Sequence, residues 1–375
     1  PYGAQAIAAC LPPPLFGLFA ATCGEPGTGV TVLSERLRVL HHQSAGATGA
    51  TGAAGASGPA RFALATFSAP ASRRTLREVL AHGLAGRIRF GAELTGFEAG
   101  ADGVLLRFAG GGSAEADVLV GADGAGSVVR RALLPHAVLA DTGTRCVYGR
   151  SPLRAELLAG LPAEARSGFT AVLGRRAGLA LAPLRFRTEP GAAAREAGLD
   201  GALSPEDDYL MWAVTARGQD WPVAEDQWDG LSPGELHSVA RGMTGGFDPA
   251  LREIVGAGDP GECFLIRIRS AEPVPAWEPG RVTLLGDAIH AMSPARGSGA
   301  NTALRDAALL AAELAGAARG EKPLATAIGD YESAMRDYGF AAVAESARAE
   351  ADTVRRRHGL GAMLAARLPR GRSGQ

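Results

Sequence analysis

The sequence predicts an α/β fold in which a body of strand–turn–helix units is interrupted by a second, mainly sheet-forming α+β domain. Three observations carry that prediction. Residues 117–121 and 281–285 each read as a short buried strand that runs into a turn of small residues bearing an acid, and then into a helix. Between them, residues 145–270 carry mixed strand and loop signals. Beyond them, alanine-rich helical patterns run to about Arg357.

At 375 residues the chain is long enough for two domains with a sizeable core. Hydrophobic residues at 46% and charged residues at 21% are ordinary globular usage, so a folded protein is expected. Lys and Arg number 38 against 39 Asp and Glu, which leaves no basic excess to mark a nucleic-acid or membrane-surface binder. No run approaches the ~18 apolar residues of a membrane span. No charged–apolar–small leader opens the chain, so a cytoplasmic protein is expected. Cys10, Cys23, Cys146 and Cys263 are scattered, with no C-x-x-C pair; they predict reduced, buried thiols and no metal site.

In chain order, Ala6, Ile7, Ala9 and Cys10 give a helical pattern before a stop at Pro12-Pro13-Pro14. Residues 28–40 alternate as a strand, with Val30, Val32, Leu37 and Val39 apolar. Residues 44–59, almost all Ala, Gly, Ser and Thr, predict a mobile loop or hairpin tip. Ser72 is a helix N-cap, with Leu76, Val79 and Leu80 on one face. Residues 87–90, 94–98 and 104–108 read as short strands, the last two joined by an Asp102-Gly103 turn. In the middle, 209–214 and 263–268 are the clearest strands, and 189–208 looks like an excursion. A long helix begins near Asn301.

The strongest chemical signal is Gly286-Asp287-Ala288-Ile289-His290, then Pro294, Gly297-Ser298-Gly299-Ala300-Asn301 and Asp306. A strand delivers an acid, a loop with spaced glycines follows, and a long helix starts. Glycines let backbone approach a flat ligand, and a helix N-terminus offers unpaired N–H donors with a partial positive charge. That combination suits an anion or a ring that becomes anionic. The plain alternative is a structural corner with Asp287 as a cap. Two further strings are Gly121-Ala122-Asp123-Gly124-Ala125-Gly126-Ser127 leading to Arg130, and Ser72-Arg73-Arg74-Thr75-Leu76.

In this order the three strings resemble the flavin motifs of group A FAD-dependent monooxygenases, the para-hydroxybenzoate hydroxylase-like family of aromatic and polyketide hydroxylases. The resemblance spans roughly residues 1–340, with Ile289 where alanine is common. It implies a Rossmann-like FAD-binding domain with an inserted substrate domain. It places Asp287 on the ribityl hydroxyls of FAD, the backbone of Gly297, Gly299, Ala300 and Asn301 at the pyrimidine edge, and Pro294 on the substrate side. Arg73, Asp123 and Gly124 would also contact FAD, and Arg130 would face the nicotinamide cofactor. The domain division it suggests is 1–27 with 72–144 and 272–340 for FAD, 28–71 with 145–271 for substrate, and 341–375 as a C-terminal helix and tail.

The family begins with a strand and Gly-x-Gly-x-x-Gly leading into a helix, and no such unit occurs here; about forty to fifty residues are expected to be missing from the front. No thioredoxin-like C-terminal domain is expected either. The implied activity is hydroxylation of an aromatic or polycyclic substrate with NAD(P)H and O2 through a flavin C4a-hydroperoxide. No catalytic base is singled out. Tyr148, Arg150, Trp212 and Arg267 are candidates that serve equally well as core or sheet-surface residues. Two rivals stay open: a same-fold flavoprotein with other chemistry (epoxidase, Baeyer-Villiger type, ring-opening or prenyl reductase), and a flavin-free binding protein.

Overall fold

The computed structural model describes residues 2–44 and 69–365, with side chains of the last helix described as far as residue 351. Apolar residues at helical spacing form α1 (Tyr2–Cys10), which buries Ala4, Ala6 and Ile7 but leaves Ala9 and Cys10 exposed. The triple proline ends α1 as expected, and Pro13, with its preset φ, also starts α2 (Pro13–Thr22). The strand expected over 28–40 is two, β1 (Gly29–Ser34) and β2 (Val39–Ser44), paired antiparallel. Ser34 Oγ accepts the N–H groups of Arg36 and Arg38 at 3.3 and 3.2 Å, and Leu37 turns the chain with φ +59°. An apolar residue thus occupies the turn and mimics continued alternation. The loop expected over 44–59 lies, beyond Ser44, outside the described residues.

Helix α3 (Arg73–Ala81) starts on Ser72, whose hydroxyl accepts Thr75 N–H at 3.4 Å. Residues 87–90, expected as a strand, form turns instead. The N–H groups of Arg87 and Ile88 both reach the Leu84 carbonyl, and no strand among the described residues pairs with them. Strands β3 (Leu94–Ala99), β4 (Val104–Phe108) and β5 (Ser113–Ala116) make an antiparallel meander. Strand β6 (Leu119–Gly121) leads to α4 (Val128–Leu133).

The middle of the chain runs β7 (Leu139–Pro152), α5 (Ala155–Ala159), β8 (Phe169–Leu173), β9 (Gly178–Leu184), α6 (Pro190–Glu196), β10 (Tyr209–Arg217), α7 (Pro233–Met243), α8 (Pro249–Gly256) and β11 (Phe264–Ala271). It starts earlier than residue 145 because β7 is a 14-residue strand. Then come β12 (Val282–Leu284), α9 (Asp287–His290), α10 (Gly299–Ala318) and α11 (Leu324–Ala365). Helix α11 runs unbroken through the 340/341 division suggested by the family.

Seven strands form one sheet in the order β11-β7-β10-β9-β8-β1-β2, antiparallel except for the parallel β1–β8 pair. Strand alternation gives it two unlike faces. One buries Val147, Leu179, Leu181, Leu210, Trp212 and Val214 against the apolar sides of α7 and α8. The other presents Ala171, Ala180, Met211, Ala213 and Thr215 to a cavity. A second core gathers around the parallel pair β6–β12, where Val129, Leu284, Ile289, Leu310, Tyr331 and Met335 pack together. A third joins α1, α2 and α3 to α6 through Ile7, Phe19, Val79 and Ala193, so the 189–208 excursion covers the first helices.

Burial pushes the thiols of Cys23 and Cys146 up to about 12 and that of Cys263 up to about 11, so these three are unreactive at neutral pH. Cys10 is exposed, contrary to the expectation of four buried thiols, because it closes α1 on the helix's outer side. No helix among the described residues is long and apolar enough to cross a membrane.

Glu332 on α11 is 3% exposed and accepts the Thr283 hydroxyl of β12 at 2.8 Å. Burial pushes its carboxyl up to about 7, against the opposing hydrogen bond from Thr283. A carboxyl raised in the folded state contributes stability in full below its ordinary value of 4.5, and that contribution is lost as pH rises through 7. Glu332→Gln should therefore match the wild type in thermal denaturation near pH 5 and exceed it near pH 8, by on the order of 2–3 kcal/mol. Parallel pH profiles for the two proteins would refute this.

Candidate functional site

The two acid-bearing turns leave neighbouring strand ends. Leu284 of β12 sits beside Gly121 of β6, and Leu285 N–H bonds the Gly121 carbonyl at 3.0 Å. Crevices at the C-terminal ends of parallel strands are where open α/β sheets bind ligands. Gly121 is needed there, since a Cβ would collide with Leu284 and Val129. In the first turn Asp123 Oδ2 accepts the N–H groups of Val128 and Val129 at 2.7 and 3.4 Å, so one of its oxygens caps the start of α4. Burial pushes its carboxyl up, and hydrogen bonds from Ser127 and these amides outweigh that and hold it below the usual range. Gly124 follows with φ +72°. Arg130, which the family resemblance places at the nicotinamide cofactor, also has a structural task. Buried, it donates to the carbonyls of Ala288 at 2.9 Å and Ala125 at 3.0 Å and staples the two turns together.

In the second turn Gly286 adopts φ +62°, and its N–H donates to Asp306 Oδ2 at 2.8 Å. The same carboxylate lies 2.6 Å from His290 Nε2 and accepts the Tyr338 hydroxyl at 2.7 Å. Asp306 and His290 are both 0% exposed, so this network is an internal brace. Asp287, one residue beyond, is exposed and has no side-chain hydrogen bond among the described residues. The corner therefore does not use Asp287 as its cap.

The loop after His290 forms a short turn at Pro294–Arg296 and then Gly297 enters the left-handed region at φ +61°. Helix α10 starts on Ser298 without a side-chain cap. Its first helical bond runs from Thr302 N–H to the Ser298 carbonyl at 2.9 Å, which leaves the N–H groups of Gly299, Ala300 and Asn301 ahead of the ladder. Asn301 Nδ2 donates to the Gly297 carbonyl at 3.4 Å, and the Asn301 side chain packs on Gly3 of α1, where no Cβ would fit.

A cavity of about 1880 Å³ lies between this loop and the sheet. That exceeds the ~300–1,000 Å³ of ordinary small-molecule sites, so it has room for a cofactor ring and a substrate together. Of the sequence-predicted residues, Arg73, Pro294 and Gly297 line it. Asp123, Gly124, Asp287, Gly299, Ala300 and Asn301 lie outside its lining, on the turns and helix tip just described. Tyr148 lines the cavity and stacks on Phe264 with ring centroids 4.8 Å apart. Burial, then Tyr209, pushes its phenol up, with the charge of Arg73 opposing. The other three candidates are structural. Trp212 is 0% exposed in the core, Arg150 pairs with Glu206 and Glu262, and Arg267 pairs with Asp229 and Glu225.

Sequence reasoning missed Glu206. It is 5% exposed, accepts Arg150 Nη1 at 2.6 Å, and accepts the hydroxyls of Ser72 and Thr75 at 2.7 and 2.8 Å. It thus bolts the start of α3, and with it the backbone of Arg73, to strand β7. A partner 134 residues from Ser72 leaves no local signal.

These features fit the flavin end of FAD. An uncapped helix tip with exposed backbone suits an electron-rich ring edge, an unpartnered carboxylate suits hydroxyl groups, and an arginine stands on the cavity wall. The Gly256, Gly258 and Gly261 spacing does not supply a phosphate turn for the other end, because it joins α8 to β11 with Gly258 packed on Trp212.

Comparison with known proteins agrees. The family model for the FAD binding domain matches residues 267–346. A solved structure from Photorhabdus luminescens subsp. laumondii TTO1, assigned as an FAD-containing monooxygenase, is 30% identical with a TM-score of 0.72, covering 92% of this chain and 84% of that one. The chain belongs to the group A FAD-dependent monooxygenase family. Among curated relatives, the dual O-methyltransferase/FAD-dependent monooxygenase elcB of Phaeosphaeria nodorum is 30% identical over 360 residues, 89% of this chain and 37% of that protein. The 3-amino-4-hydroxybenzoate 2-monooxygenase PtmB3 of Streptomyces platensis is 32% identical over 245 residues, 65% of this chain and 53% of that protein. This family member therefore spans from about a third to about half the length of those two relatives.

Proposed function

We propose that this monooxygenase family member hydroxylates an aromatic or polycyclic substrate, using FAD, NAD(P)H and O2. The observation that carries the reading is the large cavity bounded on one side by the 293–297 loop and Arg73, and on the other by the sheet. When bound, FAD supplies the redox chemistry, taking a hydride from NAD(P)H and activating O2. The protein binds, orients and excludes water. Asp287 accepts hydroxyl groups of the flavin side chain, and the α10 tip stabilises negative charge on the ring by about 0.3–1 kcal/mol. The sheet covers the opposite side, where Tyr148, backed by the Phe264 ring stacked on it, presents an aromatic face. The substrate lies between, on strands of the segment proposed as the substrate domain, residues 28–71 and 145–271.

The relatives support this reading. PtmB3 is named for hydroxylating an aminohydroxybenzoate, and elcB is named as an FAD-dependent monooxygenase. The test is expression of the full-length protein, followed by a substrate screen. The expected result is a yellow protein with flavin absorbance, NAD(P)H oxidation stimulated by an aromatic compound, and one labelled oxygen atom in the product under heavy O2. A protein that holds no FAD, or that oxidises NAD(P)H without ever transferring oxygen, would defeat the proposal.

A further inference from the structure

The cavity floor changes character across the sheet. One transverse row of paired residues runs Tyr148 on β7, Ala213 on β10, Ala180 on β9 and Ala171 on β8. Within this row three adjacent strands present only methyl groups, a trough about 10 Å across at ~4.8 Å per strand, flanked on β10 by Met211 and Thr215. The flavin loop hangs from the other side of the sheet, where Ala271 of β11 donates its N–H to the Ala291 carbonyl at 2.8 Å. At the trough's end the β8–β9 turn brings Arg175 to the cavity wall.

Among the described residues, Arg175 and Arg73 line this cavity without a side-chain partner, and Arg73 is the one the family resemblance places at FAD. Arg145 is held by Asp141 and Glu225, Arg176 donates to the Asp220 carbonyl at 3.4 Å, and Glu350 accepts the Thr144 hydroxyl at 3.2 Å. Glu35 Oε2 accepts Arg175 N–H at 2.9 Å, which fixes the turn, whereas the Arg175 guanidinium has no partner among the described residues. Tyr148 at one end of the row, methyl groups beyond it and an Arg175 guanidinium without a partner among the described residues on the same cavity wall suit a long ligand with an anionic tail.

We propose that Arg175 is a specificity-determining residue. It holds the carboxylate of a multi-ring substrate that lies along the alanine trough, with the ring to be hydroxylated beneath the 293–297 loop. This rests on the aromatic-hydroxylation reading above and adds the substrate's shape and charge. Arg175 is exposed at the cavity wall, where a guanidinium can meet a carboxylate in a charge-assisted, bidentate pair.

The test uses the full-length, FAD-loaded protein and two probes, the anthraquinone carboxylate rhein and its methyl ester, titrated by flavin difference absorbance. The wild type should bind the acid about tenfold or more tighter than the ester. Arg175→Gln should abolish that preference by weakening the acid alone, and Arg175→Lys should restore part of it. Equal affinity for acid and ester in the wild type, or equal weakening of both by Arg175→Gln, overturns the proposal. Binding of neither probe by a protein that still hydroxylates a single-ring phenol overturns it alone and leaves the hydroxylase reading standing. A protein without FAD overturns both.

Discussion

Asp306→Ala is expected to cost the fold about 3–5 kcal/mol and to release FAD as well. The Asp306 carboxylate is fully buried and receives the Gly286 N–H, the Tyr338 hydroxyl and His290 Nε2. Truncation takes this partner from three polar groups, of which Gly286 and His290 are buried and Tyr338 half-buried, and each buried orphan costs about 1–3 kcal/mol before relaxation. The Gly286 turn then loses its brace, and Asp287 and the start of the loop move with it. Asn in place of Asp should be milder. Its carbonyl oxygen can still face Gly286 and His290, while its amide turns to Tyr338, whose hydroxyl can accept. Urea denaturation of the full-length protein, read alongside its flavin content, checks both effects. A loss below about 1 kcal/mol for the Ala variant would show that the network is not the brace inferred from these distances.

Asp287→Ala should separate what Asp306→Ala combines. The Asp287 side chain is exposed and without a partner among the described residues, so none of these depends on it. The apoprotein should melt where the wild type does. FAD binding should weaken about 10- to 150-fold, the ~1.5–3 kcal/mol worth of hydrogen bonds to a charged group. Equilibrium dialysis of FAD against both proteins measures this. Unchanged affinity would move the flavin away from the Gly286 turn and with it the rest of the site.

How much of this was legible in the sequence follows from what is local. The strand–turn–helix units at Gly121 and Gly286 could be read because an apolar strand, an acid and glycines fall within a dozen residues. The seven-stranded sheet could not. On β9 the inner face is Leu and the cavity face is Gly and Ala, so the alternation is between apolar residues and carries little contrast. Leu37 hid a turn inside an apparent strand because its apolar side chain falls in phase. Residues 87–90 alternate like a strand but have no strand beside them among the described residues, and a pattern alone makes no ladder. Glu206 reaches Ser72 and Arg150 from distant positions, and the bonds of Arg130 to the Ala125 and Ala288 carbonyls left no mark in the sequence because one of those partners is 158 residues away.

Among the described residues the hairpin β1–β2 joins the sheet through β8, with Val30 set parallel to Phe169 and Thr28 bonded to Ser167, 139 residues later. A ribosome adding about 5–20 residues per second takes roughly 7–28 s to supply that neighbour. For that interval the hairpin lacks the strand it pairs with in the finished sheet, and Val30 and Val39 stay exposed even once β8 is in place. Assembly of this half of the molecule is therefore governed by waiting for distant chain, and a chaperone or a slow-translating stretch would act on the newborn hairpin first.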